Sequence, residues 1–82
     1  MSNTREIPLV ENEYREVSDK EYFLAKLEQG YAQIYASDTK PENNAVGISV
    51  DPSKPITRQF DGTLWAKATT DKALMIVMES DA

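Results

Sequence analysis

Fourteen carboxylates are the side chains in this 82-residue chain that most invite acid–base or metal chemistry. The loop candidates are Asp38, Glu42, Asp51, Asp61 and Asp71, each set among turn-forming residues. In such places a short acidic side chain usually accepts backbone hydrogen bonds, and that role outweighs a catalytic one. No D-x-[DN]-x-[DN]-G calcium loop is present, and Asp61-Gly62 lacks the companions it would need. The chain contains neither His nor Cys. Imidazole bases, thiol nucleophiles, Cys/His zinc sites, Fe–S clusters and disulfides are therefore removed together. Ser18, Ser37, Ser49, Ser53 and Ser80 have no imidazole to activate them. Gly30, Gly47 and Gly62 lie too far apart for G-x-G-x-x-G or a phosphate-binding G-x-x-x-x-G-K-[ST] loop. No metal or cofactor is expected, and the chain reads as a non-enzyme.

Aromatic rings offer a second chemistry. Tyr31 and Tyr35 fall on one face of a single extended segment, and Trp65 on an outer face of its own. Such rings could stack on a sugar. Stacking on nucleic-acid bases would need a basic groove around them. Nine Lys+Arg against fourteen Asp+Glu give a net charge of −5, and Lys54, Arg58 and Lys67 could form only a small local patch. Nucleic acid is accordingly not expected as a partner. The structural alternative packs the rings under the Pro52–Pro55 loop or against a neighbouring subunit. Tyr and Trp bury large areas while keeping one polar tip wet, which favours that alternative.

The elements that position these residues must fit one small domain. Hydrophobic residues make up 40% and charged residues 28%, the balance of an ordinary globular chain. Ordering each residue costs on the order of 1.5 kcal/mol, which a core this small barely offsets. Association with a partner or with copies of itself would widen that margin. Met1–Glu6 carries no apolar signal segment, and the longest apolar run, Ala73–Met78, is too short to span a bilayer. No membrane is expected as a partner, and a cytoplasm is the default compartment.

Residues 1–10 read as an extended N-terminal arm, with Ile7-Pro8-Leu9-Val10 as its apolar patch and a proline suited to a sheet edge. Residues 11–82 then form a single β domain. Residues 19–29 are ambiguous. Ser18-Asp19-Lys20-Glu21 fits a helix capping box and Gly30 a helix C-terminal glycine. Phe23, Ala25 and Leu27, however, alternate with Tyr22, Leu24, Lys26 and Glu28 as in a strand leading through Gln29-Gly30 into a hairpin. The second arm, with Ala32, Ile34 and Ala36 alternating against Tyr31, Gln33 and Tyr35, is plainly period-two. A polar loop over 37–45 follows, then a short strand at 46–50 with Gly47 as a bulge or close-approach point. Ile56–Phe60 alternates up to Asp61-Gly62, a strong hairpin signal. Thr63–Thr69 and Ala73–Glu79 complete the set, the last being the most apolar and expected to lie centrally. The sum is an all-β fold: a small antiparallel β-sandwich or barrel of about six to seven short strands. A helix at 19–29 is the alternative.

The order of these segments resembles a diffuse group of small tailed-bacteriophage virion proteins of the head decoration or accessory type. The resemblance runs over residues 18–80, through V-S-D-K-E-Y-F-L-A-K-L-E-Q-G, Y-A-Q-I-Y-A-S and V-G-I-S-V. It ends in a G-x-x-W-A-[K/R/W]-[A/S] … A-x-[I/L]-x-V-x-E pattern. Gly62, Trp65, Ala66, Lys67, Ala68, Ala73, Met75 or Ile76, Val77 and Glu79 match it. In that pattern the stretch matching Tyr22–Glu28 is a strand, which tips the ambiguity toward strand. The helix-favouring Leu, Lys and Glu there depart from it.

The resemblance implies a structural role in the virion, assembled in a bacterial host cytoplasm, with no catalytic residues to transfer. The implied partners are the major capsid protein or other virion proteins. A homo-oligomer is compatible, and a trimer would suit a three-fold site on a shell. Under that role Ile7 and Leu9 of the arm, with Tyr31, Tyr35 and Trp65, are the interface candidates. Two other functions compete. One is a carbohydrate-binding or adhesion module of a phage fibre, and the other a small acidic regulator that binds a host protein.

Overall fold

The structure, a computed structural model, describes residues 2–57 and 60–80, of Ser2 the backbone alone. Eight strands run in the order β1 (Ser2–Leu9), β2 (Arg15–Ser18), β3 (Tyr22–Gln29), β4 (Ala32–Ser37), β5 (Ile48–Val50), β6 (Ile56–Thr57), β7 (Thr63–Ala68) and β8 (Ala73–Ser80). They form two four-stranded sheets, β1-β8-β3-β6 and β2-β7-β4-β5, with every pairing antiparallel. The sheets face each other without closing into a barrel, so the fold is a β-sandwich.

Residues 22–29 are a strand. Phe23, Ala25 and Leu27 are buried while Tyr22, Leu24, Lys26 and Glu28 face water, a strict period of two that a helix cannot satisfy. β8 lies between β1 and β3 and turns Ala73, Met75, Val77 and Glu79 inward. The facing sheet supplies Ala32, Ala66 and Ala68, all at most 2% exposed. Large side chains such as Leu27 and Met75 in one sheet thus share a core with small ones in the other. That exchange of volumes lets two twisted sheets come together without voids.

The turns do something other than make hairpins. Gln29-Gly30 joins β3 to β4 and Asp61-Gly62 joins β6 to β7, yet each pair of strands belongs to different sheets. Both glycines do hold a positive φ, 77° at Gly30 and 96° at Gly62, as tight turns require. Among successive strands only β4 and β5 pair with each other. The chain reverses where the turn residues say, but almost every reversal crosses the core.

The N-terminal segment is corrected from an arm to a strand of the domain. β1 pairs with β8 along its whole length, from Ser2 opposite Ser80 to Leu9 opposite Ala73. It is an edge strand, where Pro8 costs no ladder bond. Its continuation is pinned as well, because the Ala68 N–H donates to the Val10 carbonyl at 2.9 Å. In β2 a register shift between Glu16 and Ser18 marks a bulge. Val17 and Ser18 are consequently both buried, although they are adjacent in sequence.

That bulge completes a polar cluster across the two sheets. The Glu79 carboxylate, 8% exposed, accepts from Ser18 Oγ at 2.6 Å and from Arg5 Nε at 2.7 Å. Arg5 Nη2 also donates to the Val17 carbonyl at 2.7 Å. β1 and β8 of one sheet are thereby tied to β2 of the other. No buried side-chain nitrogen or oxygen among the described residues lacks a partner.

Candidate functional site

The most open part of the core lies between the β5 and β6 edges. β5 pairs with β4 so that Ile48 is opposite Ile34 and Val50 opposite Ala32. Ile34 and Val50 pack against the core, so this register also aims Ile48 inward, and Val46 just before the strand lines the same hollow. Val50 is covered, yet Ile48 is 71% exposed and Val46 84%. In the opposite sheet the edge strand β6 pairs with β3 at Ile56 and Thr57 among the described residues. Ile48 faces the core side with most of its surface open to water.

The result is a cleft of about 370 Å³. Its floor and walls are Phe23, Ile34, Ile56 and Leu64, with Val46, Ile48, Phe60 and Gly47 at the mouth and Tyr35 at its border. Phe60 is 72% exposed. The size is within the range of ligand pockets, roughly 300–1,000 Å³. Its lining is apolar, with no Lys, Arg, Asp or Glu among the described residues that form it.

The loop over 38–47 is held in place by polar contacts on the outer face of the second sheet. Tyr14, fully buried, donates its hydroxyl to the Ala45 carbonyl at 2.7 Å and stands edge-on to Tyr35 at 5.9 Å. Burial, and secondarily Tyr35, pushes the Tyr14 hydroxyl pKa above its ordinary value. Lys67 Nζ lies 4.9 Å from the Tyr14 ring centre and donates to the Asn43 carbonyl at 2.6 Å. Lys40 pairs with Glu13 at 2.8 Å, which holds the Glu13 carboxyl below its usual value. The Gly47 N–H donates to Gln33 Oε1 at 3.3 Å, and a Cβ at Gly47 would strike the Ile34 carbonyl oxygen. Gly47 is a close-approach point with an ordinary φ.

Tyr14→Phe removes the hydroxyl and leaves the half-buried Ala45 carbonyl without its partner. The expected loss is about 1–2 kcal/mol in denaturant unfolding, with faster amide exchange over residues 42–47. A change below about 0.5 kcal/mol would show that the loop is held by its other contacts.

Five residues carried the interface expectation, and the structure separates them. Ile7 and Leu9 are 8% and 5% exposed, packed within this chain's own core, so they are not surface residues. Trp65 is half-buried, and its indole N–H donates to the Ser37 carbonyl at 3.0 Å. Tyr35 sits opposite Trp65 on the paired strand and is 37% exposed. Tyr31 precedes β4, next to the Gly30 turn, and is 55% exposed. These rings make no continuous flat platform. Of the suggested basic patch, Lys67 is engaged with the 38–47 loop and Arg58 lies outside the described residues.

The cleft residues Val46, Ile48 and Phe60 were not among the candidates. Val46 and Ile48 lie in an uncharged alternation over 46–50 and Phe60 ends the alternation over 56–60, but alternation alone predicts burial. Among the described residues no cluster of acidic side chains could hold a metal ion. Comparison with protein-family models, with curated proteins and with solved structures finds no match for this chain.

Proposed function

We propose that this chain is a non-enzymatic structural protein of a virion, a head decoration or accessory subunit that docks on the assembled shell through its open β5–β6 end. The observation that carries the docking surface is Ile48, inward-facing by register yet exposed to water, beside the exposed Val46 that also lines the cleft. Exposed apolar groups clustered at one end of a small domain are characteristic of interaction sites. The phage-type resemblance over residues 18–80 supplies the kind of partner, the major capsid protein or a neighbouring virion protein. The residue inventory, without His or Cys, agrees with a binding role rather than a chemical one.

The aromatic face supports the carbohydrate alternative less well. Trp65 is half-buried with its N–H engaged internally, and sugar stacking needs an open ring face.

The test is quantitative mass spectrometry of purified particles from the source lysate. A copy number equal to the major capsid protein's, or a simple fraction of it, is expected. Absence from particles would overturn the reading and favour a soluble host partner. A variant sharpens it. Ile48→Asp, at a largely exposed position, should change folding stability by only about 0.5 kcal/mol. Its association with shells should nevertheless fall at least about tenfold, measured by co-sedimentation. Unchanged co-sedimentation would remove the cleft as the docking surface.

A further inference from the structure

We infer that the β5 edge and the adjoining cleft together accept one extended strand from a partner protein, apolar at alternate positions and basic at one end. The inference deepens the docking reading above and rests on it for the existence of a protein partner.

The four sheet edges differ in how they resist strand addition. β1 carries Arg5, Glu6 and Pro8, and β2 carries Arg15, Glu16 and a bulge. β6 follows Pro55 directly. Charge, proline, bulges and shortness are the usual devices that keep an edge from pairing. β5 has neither charge nor proline from Val46 to Val50, and it pairs with β4 alone. Its free side is thus a short strand edge with no charge, proline or bulge of its own.

The cleft makes that edge selective. A strand laid antiparallel along β5 would extend the β2-β7-β4-β5 sheet by one position. Its alternate side chains would then point the same way as Ile48, into the hollow bounded by Phe23, Ile56 and Leu64. Main-chain bonds would satisfy the edge while side chains filled the cleft. A sequence with apolar groups at every second position fits both demands. A compact apolar cluster or a helix fits only one.

The rim gives the direction of charge. A Cβ at Gly62, which lines the cleft, would sit 3.0 Å from Asp38 Oδ1, so Asp38 stands at the mouth beside Asp61. Glu21 borders the adjacent hollow, which shares Phe23 and Thr57 with the cleft. No Lys or Arg lines either hollow among the described residues. A lysine or arginine flanking the incoming strand is therefore attracted, and a glutamate repelled.

The test uses the full chain and a synthetic peptide of about ten residues, two lysines followed by Val or Ile alternating with Thr. Amide shifts and exchange protection are followed by nuclear magnetic resonance. The peptide should shift and protect residues 48–50, and bind about tenfold tighter than a peptide of equal composition with its apolar residues grouped. Ile48→Asp, and independently Val46→Asp should the first variant fold poorly, should weaken binding by a similar factor. Equal binding of the grouped peptide, or shifts away from β5, would overturn the inference. Equal binding after lysine-to-glutamate exchange would overturn the basic flank. Sedimentation showing a dimer of this chain that Ile48→Asp dissolves would instead make a second copy the occupant, and would also overturn it.

The peptide assay needs no particle. A positive peptide result with a chain absent from particles would topple the virion reading alone, while shell binding without peptide binding would topple the strand alone.

Discussion

Gly30→Ala should be the most damaging single-methyl change in the molecule, costing roughly 3 kcal/mol or more and lowering the melting temperature by about 15 °C. Two effects add. Gly30 holds φ at 77°, where an L-residue loses about 1–2 kcal/mol from the close approach of its Cβ to the backbone. The new Cβ would also meet the Lys72 carbonyl oxygen, with Thr70 Oγ1 at 2.7 Å and Ala73 Cα at 3.0 Å. Two of those obstacles are main chain, so the turn itself must move. It cannot move alone, since Tyr31 N–H donates to Thr70 Oγ1 at 3.1 Å and Thr69 N–H to the Tyr31 carbonyl at 2.9 Å. The β3–β4 and β7–β8 crossings are stitched together at this point. Thermal unfolding monitored by circular dichroism reads the effect. A loss under about 1 kcal/mol would mean that the two crossings relax independently.

The same glycine shows where sequence patterns stop being informative. Gly30 and Gly62 were legible as turns because both supply a positive φ, and the strands on either side were legible from their alternation. Whether a turn closes a hairpin or carries the chain over the core depends on which strand the next one meets. Nothing local to Gln29-Gly30 or Asp61-Gly62 encodes that meeting. Sheet partners here lie far apart along the chain, as when Leu24 finds Met78 or Ser18 finds Leu64. The central place of β8 was readable, because a strand buried by neighbours on both sides tolerates a continuous apolar run.

The site was less legible than the fold, for a related reason. Alternation at Val46, Ile48 and Val50 states which face of β5 looks inward, but not whether anything lies opposite. That depends on the opposite sheet, which the local pattern does not contain. Ile7 and Leu9 fail in the opposite sense: a polar terminus suggests an arm, whereas pairing with β8 buries both. Tyr14 was hidden because its neighbours are polar. It is covered by a loop rather than by a second sheet, and a loop imposes no periodicity. Ser18, suggested as a helix cap, does bind the Lys20 N–H at 3.1 Å as a cap would, yet at a strand end.

Glu79 supplies the second large effect, and it is pH-dependent. Burial alone would raise the Glu79 carboxyl pKa, but the Ser18 and Arg5 hydrogen bonds and the Arg5 charge outweigh it, and the carboxyl titrates below its ordinary value. In the unfolded chain it would titrate near the usual glutamate value of about 4.3. The unfolded state then holds the proton more tightly, so stability is fully present above that value and declines as pH falls through the folded one. Glu13, paired with Lys40, and Asp51, bonded by Ser53, are shifted the same way, so the wild-type loss on acidification is shared. Glu79→Gln isolates one share. At pH 7 one amide oxygen replaces two carboxylate oxygens, so either Arg5 Nε or Ser18 Oγ meets an NH2 that cannot accept, and the change should cost about 1–3 kcal/mol. Below pH 4 the gap between variant and wild type should narrow, because the wild-type carboxyl is becoming neutral as well. Arg5→Met gives the complementary result. It leaves a carboxylate 8% exposed with Ser18 as its remaining hydrogen-bond partner, and should be worse at pH 7 than at pH 4. Urea titrations of the three proteins across pH 3–7 decide the matter. Parallel curves would mean that the β1–β2–β8 clasp holds by shape and not by charge.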